Sequence, residues 1–236
     1  MASCWAGVDG CRGGWVVAVV NAARQVEWLR VFRTFAEVAI ETTAARLTLV
    51  DIPIGLPSAD RPLDRWCDRM ARESLGPRSS SVFPVPAREA VWADDYHEAC
   101  DLNQQILGWR LSKQSWGICP KIREVDAALR LAPELQHRMR ETHPELCFRL
   151  LNGSRPLENP KKSRAGLKIR RELLRSWTAD LDRSLRRCRG ARPDDVLDAL
   201  VAALVARLAT EHKARSLRPV AEQRDACGLS MEIVGV

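Results

Sequence analysis

Residues 5–20 read WAGVDGCRGGWVVAVV, in which two apolar runs flank a glycine-rich turn. This pattern predicts two strands joined by a tight connection. Residues 25–32 alternate in the way that is typical of a third strand. Thr34 is expected to cap a helix that reaches Ala45, and residues 47–50 (LTLV) predict a short buried strand before DIPIGLP at 51–57. The start of the chain therefore predicts the order β-β-β-α-β.

The rest of the chain is mostly helical in pattern. Residues 58–135 are too long for a simple crossover and predict a helical lobe inserted into one domain that spans residues 1–236. Residues 78–84 within it are expected to form a loop, and short strands are predicted at 138–142 and 231–234. Helices are predicted at 61–75, 96–107, 125–131, 146–151, 163–177 and 193–212.

The composition is that of a globular protein, since 46% of the 236 residues are hydrophobic and 28% are charged. No apolar run approaches the ~20 residues needed to cross a bilayer, and the first residues lack the basic and apolar regions of a signal peptide. Eight cysteines are scattered singly, without a Cys-x-x-Cys pair and without histidines at zinc-finger spacing. These features predict reduced thiols, a cytoplasmic location and no association with a membrane.

Positive charge is concentrated in one segment. The formal net charge is +7, and residues 150–192 contain 13 Lys or Arg against 4 Asp or Glu. Such a block is typical of a surface that binds a polyanion, but it also occurs as a solvated, arginine-rich helical face. The charge alone does not distinguish these two interpretations.

Two aspartates each close an apolar strand. Asp9 and Asp51 both precede a turn rich in glycine or proline. If the two strands are neighbours and parallel, both carboxylates emerge at the same edge of the sheet. Carboxylates that close together repel each other unless a proton or a hard cation lies between them. The pair therefore predicts a site for Mg²⁺ or Mn²⁺, although either Asp alone is as well explained as a turn former or helix cap.

A third aspartate lies inside an apolar helix. Asp198 belongs to VLDALVAALVA, residues 196–206, which is apolar on nearly all sides and therefore predicts a buried helix. A buried carboxylate without a partner is costly, so Asp198 is a strong candidate for a functional residue. Asp194 and Asp195 follow Pro193 in the first turn, where acids also serve as ordinary caps. Acids converging from two strand ends and a buried helix are what two-metal phosphoryl chemistry requires.

Seven blocks of the sequence resemble the domain-of-unknown-function family 429, which is described as predicted nucleases of the ribonuclease-H-like superfamily. The blocks are GVDGCRGGW (7–15), DIPIGLP (51–57), RSSSVFP (78–84), LSKQSWGI (111–118), KIREVD (121–126), HPE (143–145) and DDVLDALVAA (194–203). The resemblance covers almost the whole chain. It implies an α/β, ribonuclease-H-like fold, with a mixed five-stranded sheet whose first three strands are antiparallel, flanked by helices and carrying a helical insertion.

The same resemblance implies roles for particular acids. Asp9 would be the metal ligand of the first strand, Asp51 that of the fourth strand, and Asp198, with Asp195, the acid of the C-terminal helix. Glu145 is either a further ligand or only the start of a helix, and the sequence does not choose between them.

Candidate substrate contacts fall in the inserted lobe. Arg78, Lys113 and Lys121 would suit a phosphate backbone. Trp116 could stack on a base or belong to the core. Three further arginines, by contrast, are expected on helix surfaces: Arg61, Arg65 and Arg72.

Three functions compete at this point. The first is a metal-dependent nuclease that hydrolyses the phosphodiester bonds of RNA or DNA. The second is a nucleotide-dependent phosphotransferase or ATPase, since the actin-like ATPases share this sheet and its Asp-Gly turn, although they need two such domains. The third is a non-catalytic module that binds nucleic acid through residues 161–192. The choice of RNA or DNA and the oligomeric state are left open by the sequence.

Overall fold

The structure is a computed structural model that describes residues 3–179 and 181–236. Residues 1 and 2, which belong to the start of the chain where no signal peptide is predicted, lie outside the described residues. The same holds for Asp180, one of the four acids of the basic segment 150–192.

A five-stranded sheet organises the molecule. Its strands are β1 (Cys4–Cys11), β2 (Gly14–Asn21), β3 (Val26–Phe32), β4 (Ala45–Val50) and β5 (Met139–Glu141), in the order β3-β2-β1-β4-β5. The first three strands are antiparallel, whereas β4 runs parallel to β1 and to β5. The predicted α/β fold, with a mixed sheet flanked by helices, is confirmed, and it is consistent with a ribonuclease-H-like fold.

Nine helices accompany this sheet in the described part of the chain. They are α1 (Phe35–Glu41), α2 (Trp66–Leu75), α3 (Arg88–Val91), α4 (Tyr96–Leu107), α5 (Lys113–Leu131), α6 (Pro144–Leu151), α7 (Arg164–Arg175), α8 (Leu181–Arg187) and α9 (Pro193–Thr210). Two short strands near the C-terminus, β6 (Ser216–Leu217) and β7 (Ile233–Val234), pair with each other. Among the described residues, none of the helices combines the length and the apolar character that a membrane span requires.

Several predicted boundaries were wrong. The helix expected at 61–75 begins only at Trp66, and the expected loop at 78–84 overlaps a 3-10 helix, Gly76–Ser81. The helix expected at 125–131 is the last part of α5, whose polar first turns obscured its periodicity. The strand expected at 231–234 pairs with β6 and touches the main sheet through a bridge to Thr142.

Each face of the sheet has its own core. On one face, side chains of β1 and β2 pack with α6, α7 and α9. On the other face, Val8, Trp15 and Val17 share a core with α1, α3 and residues of α5 such as Ile122 and Val125. The long segment between β4 and β5 therefore supplies one of the two helical layers.

Arg65 is buried, so the prediction that it lies on a helix surface was wrong. Only 2% of its surface is exposed, and its guanidinium contacts Glu141 at 2.5 Å and the carbonyls of Ile54 and Gly55 at 2.6 and 2.5 Å. These partners are far away in sequence, which is why no local pattern revealed them. Arg65 thereby holds the loop that follows Asp51 against the end of β5.

Candidate metal centre

Three carboxylates meet at one edge of the sheet. Asp9 lies in β1, Asp51 follows the last residue of β4, and Asp198 lies in α9. The backbone N–H of Asp51 donates to the carbonyl of Val8 at 2.9 Å, so the parallel strands β1 and β4 deliver Asp9 and Asp51 side by side. One oxygen from each of the three carboxylates lies within 4.8 Å of the other two.

The close approach of α9 to β1 depends on Gly7. A Cβ atom at this position would lie 2.1 Å from the carbonyl oxygen of Ala199 and 2.2 Å from the backbone nitrogen of Ala203. The helix backbone therefore rests directly on the strand. Because Asp9 and Asp198 lie close to this crossing in sequence, the crossing brings their carboxylates together.

Burial and mutual repulsion make these carboxylates hard to ionise together. Burial raises the pKa of Asp9 well above its ordinary value, and the carboxylates of Asp51 and Asp198 raise it further. Burial also raises the pKa of Asp51, against the opposing effects of His143 and Lys161. It raises the pKa of Asp198 to about 7. A group of this kind is stabilised by a cation, because positive charge favours the ionised form of each acid.

One cationic side chain already reaches the centre. Lys161 lies in the loop between α6 and α7, with its Nζ 2.7 Å from Oδ2 of Asp198. Burial opposes a charge on this ammonium, but the three aspartates outweigh that effect and raise the pKa of Lys161. The centre is thus built from three acids and a base.

The donor set suits a hard divalent cation. Mg²⁺ and Mn²⁺ prefer oxygen ligands, and three carboxylates within 4.8 Å provide them. Cys147 is the thiol within electrostatic reach of Asp51 and Asp198, but burial raises its pKa to about 12. Its Sγ is not among the ligand atoms of the described residues that lie within 4.8 Å of one another at this centre, and zinc sites usually include Cys or His ligands. The residues present therefore fit Mg²⁺ or Mn²⁺.

A family model described as "Protein of unknown function (DUF429)" matches residues 7–223. The chain belongs to the DUF429 family. The predicted family membership is thereby confirmed, and the matched range includes all three clustered acids and Lys161. Comparisons of the DUF429 chain with curated proteins and with solved structures found no match.

Two predicted site residues of the DUF429 chain are engaged by other groups. Asp195 accepts a hydrogen bond from the backbone N–H of Arg192 at 3.4 Å, in the first turn of α9. Glu145 begins α6, and its Oε1 accepts hydrogen bonds from Arg170 at 2.6 Å and Arg78 at 3.4 Å. Neither acid belongs to the group of three whose oxygens lie within 4.8 Å. Asp195 thus caps a helix while remaining within electrostatic reach of Asp9 and Lys161, and Glu145 is the acidic partner of a buried ion pair.

The Arg170→Met variant is expected to lower the free energy of unfolding by about 3–5 kcal/mol, because it leaves the charge of Glu145 buried with a weaker partner. Arg170 is 1% exposed, so water cannot replace it. Urea denaturation of Arg170→Met, Glu145→Gln and the double variant measures the coupling between the two side chains. We expect the double variant to be more stable than Arg170→Met. If the loss of unfolding free energy in the double variant equalled the sum of the losses in the two single variants, the ion pair would be contradicted.

A cavity of about 270 Å³ opens beside Asp9 and Asp51. Lys121, a predicted phosphate contact, lines this cavity, with its Nζ 2.5 Å from the carbonyl oxygen of Gly14 and 4.3 Å from the ring centroid of Trp15. The apolar part of the wall consists of Ile52, Pro53, Val82, Phe83, Val85, Ile118 and Ile233. The volume lies just below the ~300–1,000 Å³ range of small-molecule sites, so the cavity suits one small organic group.

The other predicted substrate contacts of the DUF429 chain have different neighbours. Arg78 is bound to Glu145. The Nζ of Lys113 lies 4.1 Å from the ring centroid of Tyr96, and the ring of Trp116 lies 6.3 Å from the same ring. Trp116 also packs against the core, which is the second of the two roles considered for it. In the described part of the chain, these three residues are not among those that line the cavity beside the acids.

Sequence reasoning missed the basic groups around the acids. His143 contacts the carbonyl oxygen of Ser81 at 3.2 Å and acts on the charge of Asp51. Its position after β5 could have revealed it, since the parallel strands β1, β4 and β5 all end at this edge. Lys161 offered no comparable signal, because it is one of many basic residues in its segment.

Proposed function

We propose that this DUF429 protein is a divalent-metal-dependent phosphodiester hydrolase, a cytoplasmic nuclease that acts on RNA or DNA with Mg²⁺ or Mn²⁺. The observation that carries the proposal is the convergence of Asp9, Asp51 and Asp198, whose oxygens lie within 4.8 Å of one another. Phosphodiester hydrolysis asks little of side chains beyond positioning and the binding of cations. The three carboxylates meet the second of these requirements, the binding of cations.

The three acids have different surroundings. Asp9 and Asp198 are buried, whereas Asp51 is partly exposed and lines the cavity together with Asp9. We infer that Asp198 binds the metal from the buried side of the centre, while Asp51 faces the phosphate of the substrate on the side of the cavity. A bound divalent ion supplies Lewis-acid polarisation of phosphate oxygen and a water of lowered pKa.

Basic residues near the centre support a polyanionic substrate. Lys121 and Arg12 line the cavity. Within the basic segment, Arg171 and Arg175 pair with Asp182 and are partly neutralised. Eight other basic residues of this segment are exposed in the described part of the chain: Arg155, Lys162, Arg164, Lys168, Arg183, Arg186, Arg189 and Arg192. These exposed side chains are available to phosphate groups, so binding is expected to weaken as salt increases.

The proposal predicts metal-dependent cleavage. End-labelled RNA and DNA, each as single strand and duplex, are incubated with the protein in Mg²⁺, in Mn²⁺ or in EDTA, and the products are separated on denaturing gels. We expect at least one of these substrates to be cleaved in Mg²⁺ or Mn²⁺ and none to be cleaved in EDTA. Intact substrates in both metals would count against the nuclease.

The same preparations separate the two competing functions. A phosphotransferase or ATPase would be stabilised against heat by ATP with magnesium, but by no polynucleotide. A non-catalytic module would bind nucleic acid with steep salt dependence and leave it uncut.

A further inference from the structure

Lys161 sets its ammonium group among the carboxylates of the acidic centre. Its Nζ lies 2.7 Å from Oδ2 of Asp198, and its side chain is 35% exposed whereas that of Asp198 is 1% exposed. All three clustered aspartates act on its charge. The lysine therefore enters from the solvent side and lies where a cation is stabilised.

The backbone before Lys161 is held by a buried ion pair. The carbonyl of Asn159 accepts a hydrogen bond from Nη1 of Arg170 at 3.1 Å, and Nη2 of the same guanidinium donates to Glu145 at 2.6 Å. Arg170 is 1% exposed. Glu145 thus serves the acidic centre indirectly, through the loop that presents Lys161.

The residue immediately before Lys161 is fixed as well. The carbonyl of Pro160 accepts hydrogen bonds from the Oγ of Ser163 at 2.8 Å and from its backbone nitrogen at 3.0 Å. Gly166 permits this arrangement, because a Cβ there would lie 2.0 Å from the Pro160 carbonyl oxygen. The position of Lys161 is therefore set by the fold of its loop, unlike that of an unconstrained surface lysine.

We propose that the ammonium of Lys161 occupies one cation position of the acidic centre, so that the centre takes up one divalent ion per chain instead of two. The inference rests on the metal centre proposed above. Three carboxylates and one ammonium leave two negative charges, which one divalent ion neutralises. A second ion would make a buried centre net positive and would have to displace Lys161, which the interior disfavours.

Other charged groups near the centre have partners of their own. Lys121 donates to the carbonyl of Gly14 and is within electrostatic reach of Glu124, Asp9 and Asp195. Asp195, which accepts a hydrogen bond from the backbone of Arg192, is in turn within electrostatic reach of Asp9 and Lys161. Arg170 and Arg78 are bound to Glu145. Lys121 and Asp195 carry opposite charges, and Glu145 is paired with arginines, so these groups leave the balance between the three aspartates, Lys161 and one ion unchanged.

Counting bound Mn²⁺ tests the proposal without any assay of activity. Isothermal titration and electron paramagnetic resonance of free Mn²⁺ give the stoichiometry and affinity for the full-length wild type and for Lys161→Met. Lys162→Met is the matched control, since Lys162 is the next residue, is exposed and carries the same charge. Lys161→Arg keeps the charge and serves as the conservative variant.

We expect one Mn²⁺ per chain in the wild type, in Lys162→Met and in Lys161→Arg. In Lys161→Met the first ion is expected to bind at least about tenfold more tightly, because a positive charge has left its surroundings, and a second ion should become detectable. If Lys161→Met is unstable without metal, its melting temperature should rise more with Mn²⁺ than that of the wild type.

Two results would overturn the inference about Lys161. Both can be distinguished from the result that would refute the metal centre. Two ions bound to the wild type, or unchanged binding in Lys161→Met, would show that Lys161 holds no cation position. No Mn²⁺ bound to the wild type would refute the metal centre itself, and the inference with it.

Discussion

The Asp9→Asn variant is expected to stay folded and to lose both Mn²⁺ binding and metal-dependent cleavage. Asp9 supplies one of three oxygens that lie within 4.8 Å of one another, and an amide is a weaker and uncharged ligand. A catalytic metal contributes several kcal/mol to transition-state stabilisation, and each 1.4 kcal/mol is tenfold in rate, so we expect cleavage to fall about 10³-fold or more.

The same substitution should not destabilise the metal-free protein. The raised pKa of Asp9, caused by burial and then by Asp51 and Asp198, means that folding disfavours its charged form. This cost is absent below the pKa of the unfolded chain and grows as the pH rises above it. An uncharged Asn of the same shape avoids that cost, so at neutral pH the melting temperature without metal should equal or exceed that of the wild type.

Asp101→Asn is the matched control for this experiment. Asp101 makes a surface pair with Arg110 and its side chain is 70% exposed. The control should cleave and bind Mn²⁺ as the wild type does. Cleavage by Asp9→Asn at the wild-type rate would exclude this centre as the active site, whereas a large fall in melting temperature would mean that the acid is structural.

The Gly7→Ala variant is expected to lose about 3 kcal/mol or more of folding stability, because overpacking of a backbone contact cannot be relieved by side-chain rotation. The new Cβ would lie 2.1 Å from the Ala199 carbonyl oxygen and 2.2 Å from the Ala203 nitrogen. Helix α9 would have to move away from β1. This movement would also separate Asp198 from Asp9, so any folded fraction should bind Mn²⁺ more weakly although every acid is present.

Gly13→Ala provides the comparison, since a Cβ at Gly13 would meet nothing within 4 Å. Urea denaturation should give a loss for Gly7→Ala that is clearly larger than any change in Gly13→Ala. Equal stability of the two variants would show that the space between α9 and β1 at position 7 can accommodate a Cβ atom.

Much of the fold was predictable because it rests on local patterns. Residues 5–20 alternate apolar runs and glycines in a way that few structures other than two joined strands accommodate. The apolar surface of residues 196–206 required a buried helix, and every residue from Val196 to Ala206 is buried. Helix starts were less predictable, as Trp66 shows, because polar flanking residues suit a loop and a helix equally well.

The three clustered acids were also predictable from the sequence. Asp9 follows the apolar run that opens β1, although the strand continues to Cys11, and Asp51 directly follows β4. Asp198 interrupts an apolar helix, so each of the three is a charge where burial makes charge costly. Glu145 and Asp195 carried weaker signals, because an acid in the first turn of a helix is stabilised there without any further role. The structure gives both of them such local or paired roles.

The sequence by itself thus determined the strands, the buried helix and the identity of the three acids, because periodicity and the cost of burying charge are local properties. Only the tertiary structure decided which basic groups compensate the acids. The contact of Lys161 with Asp198 spans 37 residues, that of Arg170 with Glu145 spans 25, and that of Arg65 with Glu141 spans 76. Charges interact through space, so partners separated this far in the chain are chosen by the packing of α9 on β1 and of the loops around it.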